Sequence, residues 1–171
     1  MKILQKYGFT LIDLIISITI FALISTAVLI NFNAGSRNDS VRQSANIVVQ
    51  TLRRAQSMTL SGAELSDGTF PVGGYGVRFD AAFPGSITLF ADIDGNFDYT
   101  DASEILDTIV LPKENVFSGA TLNVLFSSPD ADIYFNGATT ESSKTLSITT
   151  PSAGVTQSVI MYRLSGQVRV E

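Results

Sequence analysis

From Phe9 to Ile30 the chain reads FTLIDLIISITIFALISTAVLI, 22 residues with a single charge, Asp13. As a helix this run measures about 33 Å at ~1.5 Å per residue, the thickness of a bilayer core. So long an apolar stretch divides a chain of 171 residues before anything else is considered. Lys2 and Lys6 precede the run without an acidic residue. The positive-inside rule then places Met1 in the cytoplasm and the remainder outside, as a single pass. A secretory signal peptide is the alternative, with Ser25-Thr26-Ala27 as a small-residue cleavage site. Its apolar region would be unusually long and would have to accommodate Asp13.

A carboxylate inside a spanning helix costs about 2.5–3.5 kcal/mol, so such a group needs a partner or a proton. No Lys, Arg or His lies between Lys6 and Arg37. A neutralising group must come from elsewhere. A cut between Gly8 and Phe9 would create one, the new α-amino group of a neighbouring subunit.

Lys6-Tyr7-Gly8-Phe9-Thr10-Leu11-Ile12-Asp13, followed at once by the apolar run, resembles the class III leader of type IV pilins and type II secretion pseudopilins. The resemblance implies that a prepilin peptidase cuts after Gly8 and methylates Phe9. It implies further that an inner-membrane assembly platform draws the subunit from membrane lipid into a filament of pilin or pseudopilin subunits. The fifth mature residue of that family is usually Glu; Asp13 keeps the charge and is one methylene shorter.

Beyond the membrane run, Val41, Ala45, Val48, Leu52, Ala55 and Thr59 recur at spacings of four and three, an amphipathic helical stripe. Gly35 to Asp39 could interrupt the helix or cap a second one. Unbroken from Phe9 to Ser61, it would extend about 80 Å. Gly62 to Gly74 reads as a loop. After it come short β-like runs at Tyr75–Phe79, Ser86–Ala91, Ile105–Leu111, Thr121–Phe126, Asp132–Phe135 and Thr145–Thr149. Val159–Leu164 and Gln167–Val170, joined through Ser165-Gly166, form an expected closing hairpin with Ile160, Tyr162 and Leu164 on one face. The expected fold class is α+β, a long N-terminal helix with a transmembrane and an amphipathic half, packed on an antiparallel sheet head. The segments are a leader (1–8), a membrane or filament-core helix (9–30), its amphipathic continuation (31–61) and a β-rich head (62–171).

This order also resembles the pilin family, more narrowly the minor pseudopilin H and FimT-like branch. The residues concerned are Leu52-Arg53-Arg54-Ala55-Gln56, Tyr75-Gly76-Val77 and the hairpin from Ile160 to Val170. FimT-like members implicated in DNA uptake carry Gly-Arg-x-Arg near the C-terminus. Here Gly166-Gln167-Val168-Arg169 lacks the first arginine.

The chain has no Cys and no His. Thiolate sites, the Ser-His-Asp arrangement and most zinc chemistry are therefore excluded, and an enzyme is not expected. One constellation invites a cation. Asp92, Asp94, Asn96, Asp98, Asp101 and Glu104 offer oxygen ligands along a loop with no basic residue between Arg78 and Lys113. Calcium would relieve their repulsion, although the spacing is not that of an EF-hand; the alternative is a solvated turn. Arg163 and Arg169, aided by Arg53 and Arg54, are candidate DNA contacts. Loss of the leader leaves 9 basic and 16 acidic residues, a poor balance for binding phosphates. The expected function is structural: a filament subunit of the minor kind. The alternative is a tip-located binding module contacting DNA or a secreted substrate.

Overall fold

The computed structural model describes residues 10–112, 114–152 and 154–171, with the backbone alone at 30–35 and 37. The protein is α+β. Helix α1 spans Leu11–Ser61, and Gly35 falls within it without a break in the helical assignment. By its contacts the chain divides into two compact units, Met1–Ser36 and Arg37–Glu171.

In the first unit, Leu11–Leu29 has a mean hydropathy of 2.4 and none of it is buried. Its hydroxyls turn inward on the helix. Ser17, Thr19 and Thr26 donate to the carbonyls of Asp13, Ile15 and Ala22 at 2.7, 2.8 and 2.8 Å. Such i−4 bonds satisfy a hydroxyl without water, which suits it to an apolar medium.

In the second unit, the heptad-like stripe is the buried face of the helix. Val41, Ala45, Val48, Leu52 and Ala55 are fully buried, and Thr59 nearly so. They meet a five-stranded antiparallel sheet of order β3-β2-β1-β5-β6. Its strands are β1 (Gly74–Phe79), β2 (Ser86–Asp92), β3 (Ile105–Val110), β5 (Leu122–Ser127) and β6 (Asp132–Phe135). The register aligns Val77 with Leu89 and Val124, and Tyr75 with Ala91 and Phe126, so these side chains form one inner face. A second antiparallel sheet, order β4-β7-β8-β9, comprises β4 (Val116–Ser118), β7 (Ser143–Thr150), β8 (Val155–Tyr162) and β9 (Gln167–Val170). It adds Phe117, Ile148, Val159 and Met161 to the same core.

Two polar clamps fix the helix on the sheets. Where the helix enters the second unit, the Asn115 amide nitrogen reaches Ser40 Oγ at 2.9 Å and Ser44 Oγ at 2.8 Å, and its oxygen accepts from Thr150 Oγ1. At its end, Thr59 Oγ1 accepts from the Tyr75 amide at 3.1 Å and donates to the Phe126 carbonyl at 3.0 Å. All these groups are buried, and each has a partner, as burial demands.

The structure corrects the sequence reading in three places. There are two sheets rather than one, and β4, only three residues long, carries too little pattern to be seen. The closing hairpin turns through Arg163–Gly166, which leaves Leu164 82% exposed beyond β8. Its buried side chains are Val159 and Met161, not Ile160 and Tyr162, because that register turns the odd positions toward the core. Val168 is buried as β9 folds back on β8.

Candidate functional site

Gly8 and Phe9, the expected processing site, lie outside the described residues. Asp13 is described. Thr10 precedes the helix, and its amide and hydroxyl donate to Asp13 Oδ2 at 3.1 and 2.5 Å. The Asp13 amide returns a bond to Thr10 Oγ1 at 3.3 Å. This is a capping box with Asp in the place of Glu. Sequence reasoning took Asp13 as a carboxylate without a local partner; it missed the cap, although Thr-x-x-Asp before an apolar run is its signal. Asp13 Oδ1 makes no hydrogen bond among the described residues.

The acidic loop does something the sequence did not announce: it folds back over the outer face of the five-stranded sheet. Phe90 and Leu125 are buried on that face, apart from the main core. Tyr99 meets Phe90 edge-on at 5.5 Å, and Arg78 lies 4.5 Å above the Tyr99 ring. Phe97 stacks on Tyr134 of β6 at 4.5 Å. Asp98 accepts from the Asn123 amide of β5 at 2.6 Å. The loop thus crosses from β2 to the far edge of the sheet. Gly76 makes room beneath it, since a Cβ there would stand 2.4 Å from the Phe90 ring.

Only part of the expected ligand set converges. Asp92, Asp94 and Glu104 each bring a carboxylate oxygen within 4.8 Å of the others. Asp92 and Glu104 are buried. Asp92 accepts from the Gly95 and Phe97 amides at 2.7 and 2.8 Å, and its carboxylate packs over Gly73, where a Cβ would meet it at 1.7 Å. Glu104 accepts from the Ile93 and Thr100 amides at 3.4 and 2.8 Å. Desolvation raises both carboxyls above the usual range, more than the amide bonds lower them, and the nearby Asp94 charge adds to the rise. These three could hold a hard cation, which would offset that repulsion.

The other expected ligands are otherwise engaged. Asn96 turns its amide nitrogen to Asp94 Oδ2 at 2.9 Å, while its oxygen accepts from the Asp98 amide. Asp98 is held by Asn123. Asp101 caps the 3-10 turn Ala102–Glu104 through the Ser103 amide at 2.7 Å; bonds to Ser103 hold its carboxyl below the usual range. Asp107 pairs with Arg54 at 3.1 Å.

Arg163 and Arg169, the candidate DNA-contact arginines, have partners within the chain. Arg163 donates to the Glu141 carbonyl at 3.1 Å, and Arg169 lies 3.6 Å from Glu171. No known protein family, curated protein or solved structure matches this chain.

Proposed function

We propose that the chain is a membrane-inserted subunit, of the minor kind, of a type IV pilus-like or type II secretion pseudopilus filament. The observation that carries this reading is the contrast between Leu11–Leu29, helical, strongly apolar and uncovered by the chain itself, and the complete core that the rest of the chain builds. The span has the length and composition of a single membrane segment or a signal sequence. What favours the filament is its entry: Gly8-Phe9, then a capped Thr10–Asp13 turn, then the apolar run.

Before assembly, lipid covers the apolar helix. In the filament, neighbouring helices replace lipid, and packing between side chains supplies the attraction. Asp13 has two tasks in this account. Oδ2 caps its own helix, and Oδ1 remains to accept from a neighbour's terminal amine. Sheared filaments from cells carrying the full assembly machinery test the reading. The chain is expected among their subunits, and Asp13→Ala is expected to insert into the membrane yet be depleted from the filaments. Absence of the wild-type chain from the sheared fraction would overturn the proposal.

A further inference from the structure

The β-registers gather several chain segments at one end of the five-stranded sheet. Gly74 pairs with Asp92 and with Ser127, and Ser127 pairs with Asp132. The Thr59–Tyr75 bond brings the C-terminal end of α1 to the same place. The surface there is apolar at its centre. Phe70 and Val72 are 58% and 72% exposed, with Leu60 and Ile93 also open to solvent. These side chains come from three segments, which touch one another through Phe70 on one side and Val72 on the other. Phe70 and Pro71 share a notch of about 40 Å³ with Gly62, Ala63 and Ser128. Val72 Cγ1 stands 2.9 Å from where a Cβ on Gly95 would be, beside Ile93.

The segments that meet at this end carry charge of one sign. Glu64 and Asp67 come from the loop after α1, Asp94 and Asp101 from the loop after β2, Asp130 from the β5–β6 turn and Asp132 from the start of β6. All six are exposed, and none has an ion pair among the described residues. The sequence places no lysine or arginine between Arg54 and Arg78, or between Arg78 and Lys113. Nor does it place one between Lys113 and Lys144. Isolated exposed apolar residues need no explanation, but several brought to one end of a sheet on segments whose charges are all acidic describe an interaction surface.

We infer that this end of the head docks a cationic protein segment, one that inserts an aliphatic or aromatic side chain against Phe70 and Val72 and flanks it with lysine or arginine. The apolar anchor supplies affinity, and the carboxylate rim supplies selection and a fast encounter. The site lies on the head alone, and its test does not require filament assembly.

The experiment is an NMR titration of the full chain in neutral detergent, at ~0.15 M salt with a chelator present. The probe is a Lys-Lys-Leu-Phe-Lys-Lys peptide. Glu-Glu-Leu-Phe-Glu-Glu and Lys-Lys-Ser-Ser-Lys-Lys are the controls. Shifts confined to Leu60, Phe70, Val72, Ile93 and their neighbours are expected with the first peptide only. The Phe70→Ser/Val72→Ser double variant is expected to weaken that binding about tenfold or more. Phe83→Ser, at the opposite end of the sheet and equally exposed, is expected to leave it unchanged. Glu64→Gln/Asp67→Asn changes only exposed loop residues and is expected to weaken binding several-fold, so the rim is tested without touching the apolar centre. Equal response to the acidic peptide, shifts at another surface, or binding unaffected by either double variant would overturn the inference. So would concentration-dependent shifts of the same residues without peptide, since a second copy would then be the occupant.

Discussion

The two units of this chain contain similar side chains in opposite situations. Leu23 and Leu52 both lie in α1, yet Leu23 is 68% exposed and Leu52 is fully buried. Around Leu52 the chain supplies two sheets; around Leu23 it supplies nothing among the described residues. Polar groups differ in the same way. Ser44 and Thr59 reach across to Asn115, Tyr75 and Phe126, whereas Ser17, Thr19 and Thr26 bond only to their own helix. A segment that closes its polar groups locally and leaves its apolar ones open is made for an apolar surrounding it does not itself provide.

The largest effects should separate the two units. Leu52→Ala is expected to destabilise the head by about 2–5 kcal/mol, whereas Leu23→Ala should leave head unfolding unchanged. Urea or thermal unfolding followed by near-ultraviolet tyrosine signals reads this directly, since all five tyrosines but Tyr7 lie in the head. Equal losses from both substitutions would break the comparison. Next in size is Asp13→Ala. It should make membrane insertion easier, by up to about 2.5–3.5 kcal/mol, the cost of a carboxylate at mid-span, because Asp13 lies in the first turn of the span; an insertion assay measures it. Thr10→Ala is expected to lose about 1 kcal/mol from the helix start, seen as faster amide exchange over Leu11 to Leu14. Asp13→Glu should preserve the cap.

Effects of about the same size as the Thr10→Ala loss are expected in the acidic loop. Asp92 and Glu104 have raised carboxyls in the fold, chiefly from desolvation. The stability tied to them is present at acidic pH, below the unfolded carboxylate range, and is lost as pH rises through their raised folded values. Asp80, held low by the Ala82 amide and Arg78, contributes in the opposite sense. Asp94→Asn removes the like charge beside the buried pair. In chelator it should therefore flatten the loss of melting temperature on going from about pH 4 to pH 7. Calcium should stabilise the wild type by about 1.4 kcal/mol at tenfold excess over its dissociation constant, and Asp94→Asn much less. An unchanged pH slope would show that Asp94 does not act on the pair. Identical melting in calcium and chelator would leave the loop as a solvated turn.

Much of this was legible because local pattern and tertiary role agree. Every residue of the four–three stripe from Val41 to Thr59 is buried, and the buried face is wider by Ser40, Ser44, Val49 and Thr51. The boundaries of β6 and β9 coincide with their apolar runs. What escaped was set by contacts distant in sequence. Phe97 finds Tyr134, Tyr99 finds Phe90, and Asn123 takes Asp98 out of the ligand set. The loop offered six oxygen ligands from Asp92 to Glu104. Which of them converge is set by the 3-10 turn that returns Glu104 to Asp92 and Asp94, and sequence spacing holds no record of that turn. The Gly73-Gly74 pair was a usable hint, since Asp92 packs where a Gly73 side chain would be.

We propose that the apolar helix belongs to a processed filament subunit and not to a permanent anchor or a discarded signal sequence. Intact-mass measurement after co-expression with a prepilin peptidase separates the three. Loss of Met1–Gly8 and a chain beginning at N-methylated Phe9 are expected, with Gly8→Ala poorly cut. Retention of the first eight residues beside an active peptidase, or cleavage beyond Ser25, would contradict it.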